Sequence, residues 1–246
     1  MLSNLDEFSD FSIHLADESE KIIKKYFRTS LDVDSKEDQS PVTIADKEVE
    51  LKIREIIKNH YPEHGILGEE FDQTNIESEY IWVIDPIDGT RSFIAGHKDF
   101  GTLIALVYNN KPIVGIINCP MHNERWVGII NKETTMNNKV VKTSKTNVIN
   151  ESYFCTSGLY LEDDHFKKSC DKIINKSKYY RLGGDCYMYG MIASGLIEIV
   201  LEDTLKTHDY MALIPVIEGA GGVVTDKYGS PVTINSDGSI VASANK

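Results

Sequence analysis

Two aspartates, Asp85 and Asp88, stand at the end of an apolar run and directly before a glycine and a threonine. The run Tyr80-Ile81-Trp82-Val83-Ile84 predicts a strand that is covered on both faces. Carboxylates at its end are costly to bury unless a positive charge lies between them. Mg²⁺ binds carboxylate oxygens together with substrate phosphate, and the amides of Gly89 and Thr90 at a predicted helix start could donate to that phosphate. The stretch therefore predicts a joint cation and phosphate site, and the alternative is a tight turn, because Asp-Pro and Asp-Gly pairs are common in turns.

A further acid, Glu69, follows the short apolar run Gly65-Ile66-Leu67-Gly68 and is itself followed by Glu70. Two adjacent acids usually mark a solvated turn. Because this pair precedes the predicted central strand, one of the two could instead face the same cation as Asp85 and Asp88.

Asp46 stands where a second predicted helix begins. Thr43 and Asp46 have the spacing of a capping box, in which the aspartate accepts a hydrogen bond from the N–H of the capping residue. The same carboxylate could also orient a water molecule, and the sequence leaves both roles open.

Asp209 precedes a helix that is predicted from Tyr210 to Ala220 and made irregular by Pro215. An aspartate at a helix start is most often a cap. The neighbouring His208 is not expected to bind a metal, because the acids form an oxygen-rich site that suits hard cations.

The composition is that of an ordinary globular protein, with 246 residues of which 41% are hydrophobic and 26% charged. The net charge of −12, without clusters of Lys and Arg, argues against a nucleic-acid partner. It does not argue against an anionic substrate, because a bound cation would reverse the local field. The sequence shows no membrane-spanning stretch and no secretory signal, so we expect a cytoplasmic protein without a membrane partner. The four cysteines form no C-x-x-C pair and are expected to be reduced thiols in the core.

Hydrophobic periodicity divides the chain into two halves. The first half, 1–145, is predicted to hold helices at 5–27 and from Thr43, and an antiparallel meander at 102–108, 113–118 and 125–130. The second half, 146–246, alternates strands and helices as an α/β layer does, with strands at 153–156, 178–182 and 197–201 and helices at 165–175 and 186–194. The polar stretch 31–41 is predicted to be a mobile surface loop. It is not an EF-hand, because Glu37 stands at the glycine position and Thr43 at the glutamate position.

Taken together, three groups of residues resemble the signature set of the inositol monophosphatase-like family of metal-dependent phosphatases. They are Gly68-Glu69-Glu70, Asp85-Pro86-Ile87-Asp88-Gly89-Thr90, and Asp209 before an Ala/Gly-rich helix ending in Glu218-Gly219-Ala220-Gly221-Gly222. The resemblance covers most of the chain in the family's order. It implies a layered α-β-α-β-α sandwich of mixed α+β and α/β character, commonly dimeric, with Mg²⁺ between the two halves.

The resemblance also implies a role for each matched residue. The metal ligands would be Glu69, Asp85, the carbonyl of Ile87, Asp88 and Asp209. The amides of Gly89 and Thr90 would bind phosphate. The Thr90 hydroxyl and Asp46 would orient the attacking water, and Glu69 would be a further catalytic residue. His208 departs from the family, because many members have tryptophan there, and this difference bears on substrate shape.

Several segments are more similar to the histidinol-phosphatases of the family than to its inositol monophosphatases, above all Arg181-Leu182-Gly183-Gly184-Asp185-Cys186-Tyr187. The implied function is Mg²⁺-dependent hydrolysis of histidinol phosphate. Inositol 1-phosphate, or a sugar or nucleotide phosphate, is the alternative, and a non-catalytic acidic metal-binding protein is the alternative of another class. Substrate contacts would come from Asp88, Gly89, Thr90, Arg181, Asp185, Glu202 and Asp209. For Asp185 a helix N-cap is the competing interpretation.

Overall fold

The computed structural model describes residues 4–30, 33–35, 41–158 and 163–245, and it contains two main β-sheets between layers of helices and a separate two-stranded sheet. The described α-helices are α1 (Leu5–Tyr26), α2 (Ile44–His60), α3 (Thr90–Ala95), α4 (Asp164–Lys176), α5 (Asp185–Ala193), α6 (Thr207–Tyr210) and α7 (Leu213–Gly219). The strands are β1 (Val33–Ser35), β2 (Pro41–Thr43), β3 (Gly65–Gly68), β4 (Tyr80–Asp88), β5 (Gly101–Tyr108), β6 (Lys111–Cys119), β7 (Glu124–Ile129), β8 (Thr135–Met136), β9 (Lys139–Val140), β10 (Tyr153–Thr156), β11 (Tyr179–Leu182), β12 (Ile199–Glu202), β13 (Val223–Thr225) and β14 (Ile240–Ser243).

The larger sheet has the strand order β3-β4-β5-β6-β7-β8-β9. From β4 onward its neighbours are antiparallel, which confirms the predicted meander, whereas β3 and β4 run parallel. Gly68 at the end of β3 pairs with Ile84 of β4. The next residues, Glu69 and Asp85, therefore lie side by side at the same edge of the sheet.

The smaller sheet has the order β11-β10-β12-β14-β13. Its first three strands are parallel and are joined through α4 and α5, so the predicted alternation of strand and helix is confirmed. The larger sheet lies within residues 65–140 and the smaller within 153–243. The division of the chain at residue 145 stays a prediction.

The side chains of β4 alternate between two cores. Trp82 and Ile84 pack in a core with α1 and α2, while Ile81 and Val83 pack in a second core with α5 and α7. The second core reaches the smaller sheet, whose far side is covered by α4. The layers are therefore α1 and α2, larger sheet, α5 to α7, smaller sheet, and α4, which confirms the predicted α-β-α-β-α sandwich.

Two glycines on neighbouring strands, Gly115 of β6 and Gly128 of β7, are cross-strand partners. A Cβ atom on Gly115 would lie 2.2 Å from the carbonyl oxygen of Ala212, and one on Gly128 would lie 2.3 Å from the carbonyl carbon of Pro215. The backbone at the start of α7 thus lies directly against the sheet, where any larger side chain would collide with it. We call Gly115 and Gly128 the glycine notch. It sets the depth at which α7, and α6 before it, sit on the larger sheet.

The Asp-Pro-Ile-Asp segment is not a turn. β4 extends beyond the predicted end at Ile84 and includes both aspartates. Its register against β5 shifts between Asp85 and Asp88, and Pro86 lies in that irregularity. Proline cannot donate to a strand ladder, so bulges are among the few places in a sheet where it is tolerated.

Two other elements also differ from prediction. The single helix predicted at 210–220 is two short helices, so Asp209 lies inside α6 and Pro215 lies in the first turn of α7, where its missing N–H has no cost. Part of the predicted loop at 31–41 is paired, because β1 and β2 are antiparallel and Val42 is buried. The remainder of that loop, 31–32 and 36–40 with Glu37, lies outside the described residues.

The four cysteines are buried and free, as predicted. Within the part of the chain that the structure describes, no helix combines the length and the apolar character needed to cross a membrane.

Candidate functional site

Four carboxylates from three elements meet at the edge of the larger sheet where β3 and β4 end. Oxygens of Asp85, Asp88 and Asp209 lie within 4.8 Å of one another. A second group, within the same distance, joins Glu69 and Asp85 to a ring nitrogen of His208. Asp85 belongs to both groups and is only 2% exposed. The structure thus brings together the acidic side chains to which the family resemblance assigned the metal.

This carboxylate cluster is unfavourable without a positive charge. Burial, and then the charges of Glu69 and Asp88, raise the pKa of Asp85 well above its usual range. Burial and neighbouring carboxylates do the same to the pKa of Asp88, and burial raises the pKa of Asp209. Among the described residues Asp85 Oδ1 is buried without a hydrogen-bond partner. A divalent cation with oxygen ligands would remove both penalties, so the donor set fits such an ion.

Glu50 of α2 fixes the turn that carries Glu69, and the sequence analysis missed it. Its fully buried carboxylate accepts hydrogen bonds from Arg54 Nε and from the backbone N–H of Glu70, each at 2.7 Å. A Cβ atom on Gly68 would lie 2.0 Å from Glu50 Oε1, so this arrangement requires a glycine at the end of β3. The only sequence signal was the i, i+4 spacing of Glu50 and Arg54, which is common to exposed helix pairs.

Asp46 is a helix cap, and its second carboxylate oxygen faces Thr90, as the role in orienting a water molecule would require. Its Oδ2 accepts hydrogen bonds from the backbone N–H of Thr43 at 2.8 Å and from the Thr43 hydroxyl at 2.6 Å, which confirms the capping box. Its Oδ1 lies 3.3 Å from Thr90 Oγ1, which is also 3.1 Å from the carbonyl oxygen of Ile87. A hydroxyl has one proton to donate and two lone pairs. With its proton directed to Asp46 or Ile87, the Thr90 oxygen can accept a hydrogen bond from a water molecule.

Gly89 connects β4 to α3 in a left-handed conformation, with φ of +88°. A side chain there would be strained, and its Cβ would also lie 2.8 Å from Cγ of Asp185. The N–H groups of Gly89 and Thr90 stand at the beginning of α3, where backbone donors have no acceptor within the helix. Asp88 Oδ2 accepts the N–H of Cys186 at 2.5 Å, so the start of α5 is attached to the carboxylate cluster.

Two further acids, Asp185 and Glu202, lie next to the cluster on the side of the smaller sheet. Asp185 begins α5 with a φ of +42° and accepts a hydrogen bond from Ser92 Oγ at 2.5 Å. Burial raises the pKa of its carboxyl. Burial also raises the pKa of Glu202 to about 7, although the Tyr189 hydroxyl donates to Glu202 Oε2 at 2.6 Å.

Arg181 is placed differently from the other residues that the sequence singled out. It lies on β11, its side chain is 54% exposed, and its guanidinium donates to Asp99 Oδ2 at 2.6 Å. Asp99 also lies 3.0 Å from His122 Nε2. A substrate contact by Arg181 stays a prediction.

His208 is the clearest departure from the sequence analysis. We expected it to play no part in metal binding, yet the structure buries it and places a ring nitrogen beside Glu69 and Asp85. Its Nε2 also lies 3.4 Å from Asp209 Oδ1. The expectation rested on the surrounding acids alone, and it did not include the direction that the short helix α6 gives to the ring.

The sequence model of the inositol monophosphatase family matches residues 4–246, and the chain belongs to this family of phosphatases. The bifunctional phosphatase IMPL2 of the Arabidopsis thaliana chloroplast is 41% identical over 244 residues, which are 98% of this chain and 70% of that protein. The histidinol-phosphatase of Chlorobaculum parvum is 36% identical over 234 residues, 94% of this chain and 90% of that protein.

Among solved structures, an inositol monophosphatase from Zymomonas mobilis superposes with a TM-score of 0.89 at 40% identity. The superposition covers 99% of this chain and 94% of that chain. Both the fold and the class of enzyme predicted from the sequence are thereby confirmed.

Proposed function

We propose that the protein hydrolyses histidinol phosphate to histidinol and inorganic phosphate, using Mg²⁺ and a water nucleophile. The observation that carries the proposal is the position of Asp185. Its carboxylate lies against Gly89, where the backbone is expected to receive the phosphate, and the side-chain hydrogen bond that the structure records for it comes from the neutral Ser92.

A carboxylate at this position repels a substrate whose only charge is its phosphate. It favours a substrate that also carries a cation, and the ammonium of histidinol phosphate meets that requirement, whereas inositol offers only hydroxyl groups. Burial raises the pKa of Asp185 most, the charge of Asp99 raises it further, and Arg91 and His97 lower it. Glu202 adds a second acid on the same side.

The cluster side chains that would hold Mg²⁺ are Glu69, Asp85, Asp88 and Asp209, with the carbonyl of Ile87. Mg²⁺ bound there would neutralise phosphate oxygens and make a bound water more acidic.

The chain itself supplies the proton path and the orientation of the water. Thr90 Oγ1 accepts the hydrogen bond of a water molecule and passes its own proton towards Asp46 Oδ1, which lies 3.3 Å away. Thr43 holds the other oxygen of Asp46 and thereby directs Oδ1 at Thr90. The N–H groups of Gly89 and Thr90 would bind the phosphate oxygens.

The Chlorobaculum parvum relative, which is 36% identical, is a histidinol-phosphatase and supports the same substrate. The second candidate is an inositol phosphate, because the Zymomonas mobilis relative at 40% identity is an inositol monophosphatase.

The test compares histidinol phosphate, inositol 1-phosphate and glycerol 2-phosphate as substrates of the wild type and of Asp185→Asn. Asparagine is preferable to alanine, because it tolerates the positive φ of this position and keeps an acceptor for Ser92. Loss of a charge-assisted hydrogen bond of roughly 1.5–3 kcal/mol should lower kcat/KM for histidinol phosphate about ten- to a hundredfold. Inositol 1-phosphate and glycerol 2-phosphate, whose alcohol parts carry no charge, should be hydrolysed by the variant at least as fast as by the wild type.

Asp171→Asn, at an exposed position of α4, is the matched control and should change none of the three rates. If Asp185→Asn lowers all three rates equally, or if the wild type prefers inositol 1-phosphate, the proposal is wrong.

A homodimer and a cytoplasmic location stay predictions, and light scattering after gel filtration tests the first.

A further inference from the structure

We propose that His208 supplies a nitrogen ligand to a cation held by Glu69 and Asp85, and that it gives this position a preference for Mn²⁺ and Co²⁺ over Mg²⁺. The inference rests on the proposed function only in using the same carboxylate cluster. It assigns a different chemistry to one part of that cluster.

The geometry separates the cluster into two overlapping groups. Asp85, Asp88 and Asp209 offer oxygen atoms alone, whereas Glu69, Asp85 and His208 offer two oxygens and one nitrogen, and within each group the atoms lie within 4.8 Å of one another. His208 is only 8% exposed. Its ring is therefore held at the second group and does not move freely in solvent.

Asp85 provides an independent sign that a ligand belongs there. Asp85 is only 2% exposed, and its Oδ1 has no hydrogen-bond partner among the described residues. A buried carboxylate oxygen normally has a partner, because an unpaired one loses its hydration without compensation. A cation shared with His208 would provide the missing partner.

The other role open to His208 is to offset the charge of Asp209. The Nε2 to Oδ1 separation of 3.4 Å is longer than the roughly 2.7–2.9 Å that charge-assisted hydrogen bonds usually show. This pair therefore restrains the ring weakly. The two roles differ in what they predict, since an imidazolium partner would weaken the binding of every cation, and a neutral imidazole ligand strengthens the binding of some.

Ligand chemistry gives the direction of the preference. Mg²⁺ takes oxygen ligands in nearly regular octahedral sites and rarely exchanges them for nitrogen. Imidazole suits the divalent transition metals, whose affinity for mixed nitrogen and oxygen sites rises from Mn²⁺ to Co²⁺. A site with one histidine should therefore favour Mn²⁺ and Co²⁺ over Mg²⁺ more strongly than a site of carboxylates alone.

The experiment measures metal binding to the full chain without any substrate. Calorimetric titration with MnCl₂, CoCl₂ and MgCl₂ is carried out on the wild type, His208→Gln and His208→Phe. Glutamine keeps a polar side chain that coordinates through oxygen, and phenylalanine keeps a ring of similar shape. We expect both variants to lose about tenfold or more in affinity for Mn²⁺ and Co²⁺, and to change less than about threefold for Mg²⁺.

Electron spin echo spectroscopy of the Mn²⁺ complex gives a direct readout. The wild type should show ¹⁴N modulation from a bound imidazole, and both variants should lack it. Thermal melting in EDTA tests whether each variant is folded. If one variant does not fold, the other still tests the role of His208.

Absence of ¹⁴N modulation in the wild type, or an equal change of affinity for all three ions, would overturn the inference. Asp88→Asn, in the oxygen-only group, is the matched comparison and should weaken Mg²⁺ binding while the ¹⁴N signal remains. Because no substrate is present, a wrong assignment of histidinol phosphate would leave all of these results unchanged.

Discussion

Glu202 should make part of the stability of the metal-free protein depend on pH, and Glu202→Gln should remove that part of the dependence. Burial raises the pKa of Glu202 from 4.5 to about 7 in the folded state. Its contribution to stability is fully present below the unfolded pKa of 4.5 and is lost as the pH rises through the folded pKa of about 7, because above 4.5 the unfolded chain ionises the group more readily.

The size of the effect follows from the two pKa values. A glutamine stays neutral, so relative to the wild type the variant should gain about 1 kcal/mol of unfolding free energy at pH 5 and about 3 kcal/mol at pH 8. For a chain of this length the additional gain corresponds to roughly 4–8 °C in melting temperature. The amide oxygen can still accept from Tyr189, and any cost of the new NH₂ group is the same at every pH, so the slope with pH is the quantity to examine.

The assay is urea denaturation in EDTA between pH 5 and pH 8, with thermal melting as a second measure. The exposed Glu151 offers the control Glu151→Gln, which should run parallel to the wild type across this range. A stability difference between Glu202→Gln and the wild type that does not change with pH would refute the argument from burial.

Three further results are expected. Asp88→Asn should weaken stabilisation by Mg²⁺ and leave the EDTA-treated protein as stable as the wild type or more so, because clustered carboxylates repel one another; undiminished stabilisation by Mg²⁺ would contradict the ligand assignment. Thr90→Ala and Asp46→Asn should lower kcat about a hundredfold or more with little change in KM, whereas a loss of melting temperature at normal kcat would leave Asp46 as a helix cap alone. Glu50→Gln should raise the dissociation constant for Mg²⁺ about tenfold or more by loosening the turn at Glu69, and an unchanged constant would show that Glu50 has no positioning role.

The central part of the site could be predicted from the sequence because its signals are local. Asp85 and Asp88 end an apolar run, and Thr43 and Asp46 have the spacing of a capping box; both patterns occur within a few residues. The assignment of Asp209 to the same site required the family resemblance, because no local pattern shows that a residue so far along the chain returns to β4.

The residues that were missed act through contacts between distant segments. Glu50 and Arg54 form the same i, i+4 pair whether they are exposed or, as here, buried beneath the turn that carries Glu69. His208 was judged by the chemistry of its neighbours, and its position depends on where α6 begins. The glycine notch could not be predicted from the sequence either, because a single glycine in a strand does not show which segment packs against it.

The glycine notch makes Gly115 and Gly128 sensitive to mutation in a manner unlike that of the ligands. The contact they form is between backbones, so no side chain on either surface can shrink or rotate to absorb an added methyl group. An alanine at either position would displace the segment that carries Asp209, although every ligand residue would still be present in the sequence. In a survey of natural variants such a change would be recorded as a harmless substitution in a strand, although its biochemical effect would be that of a damaged metal site.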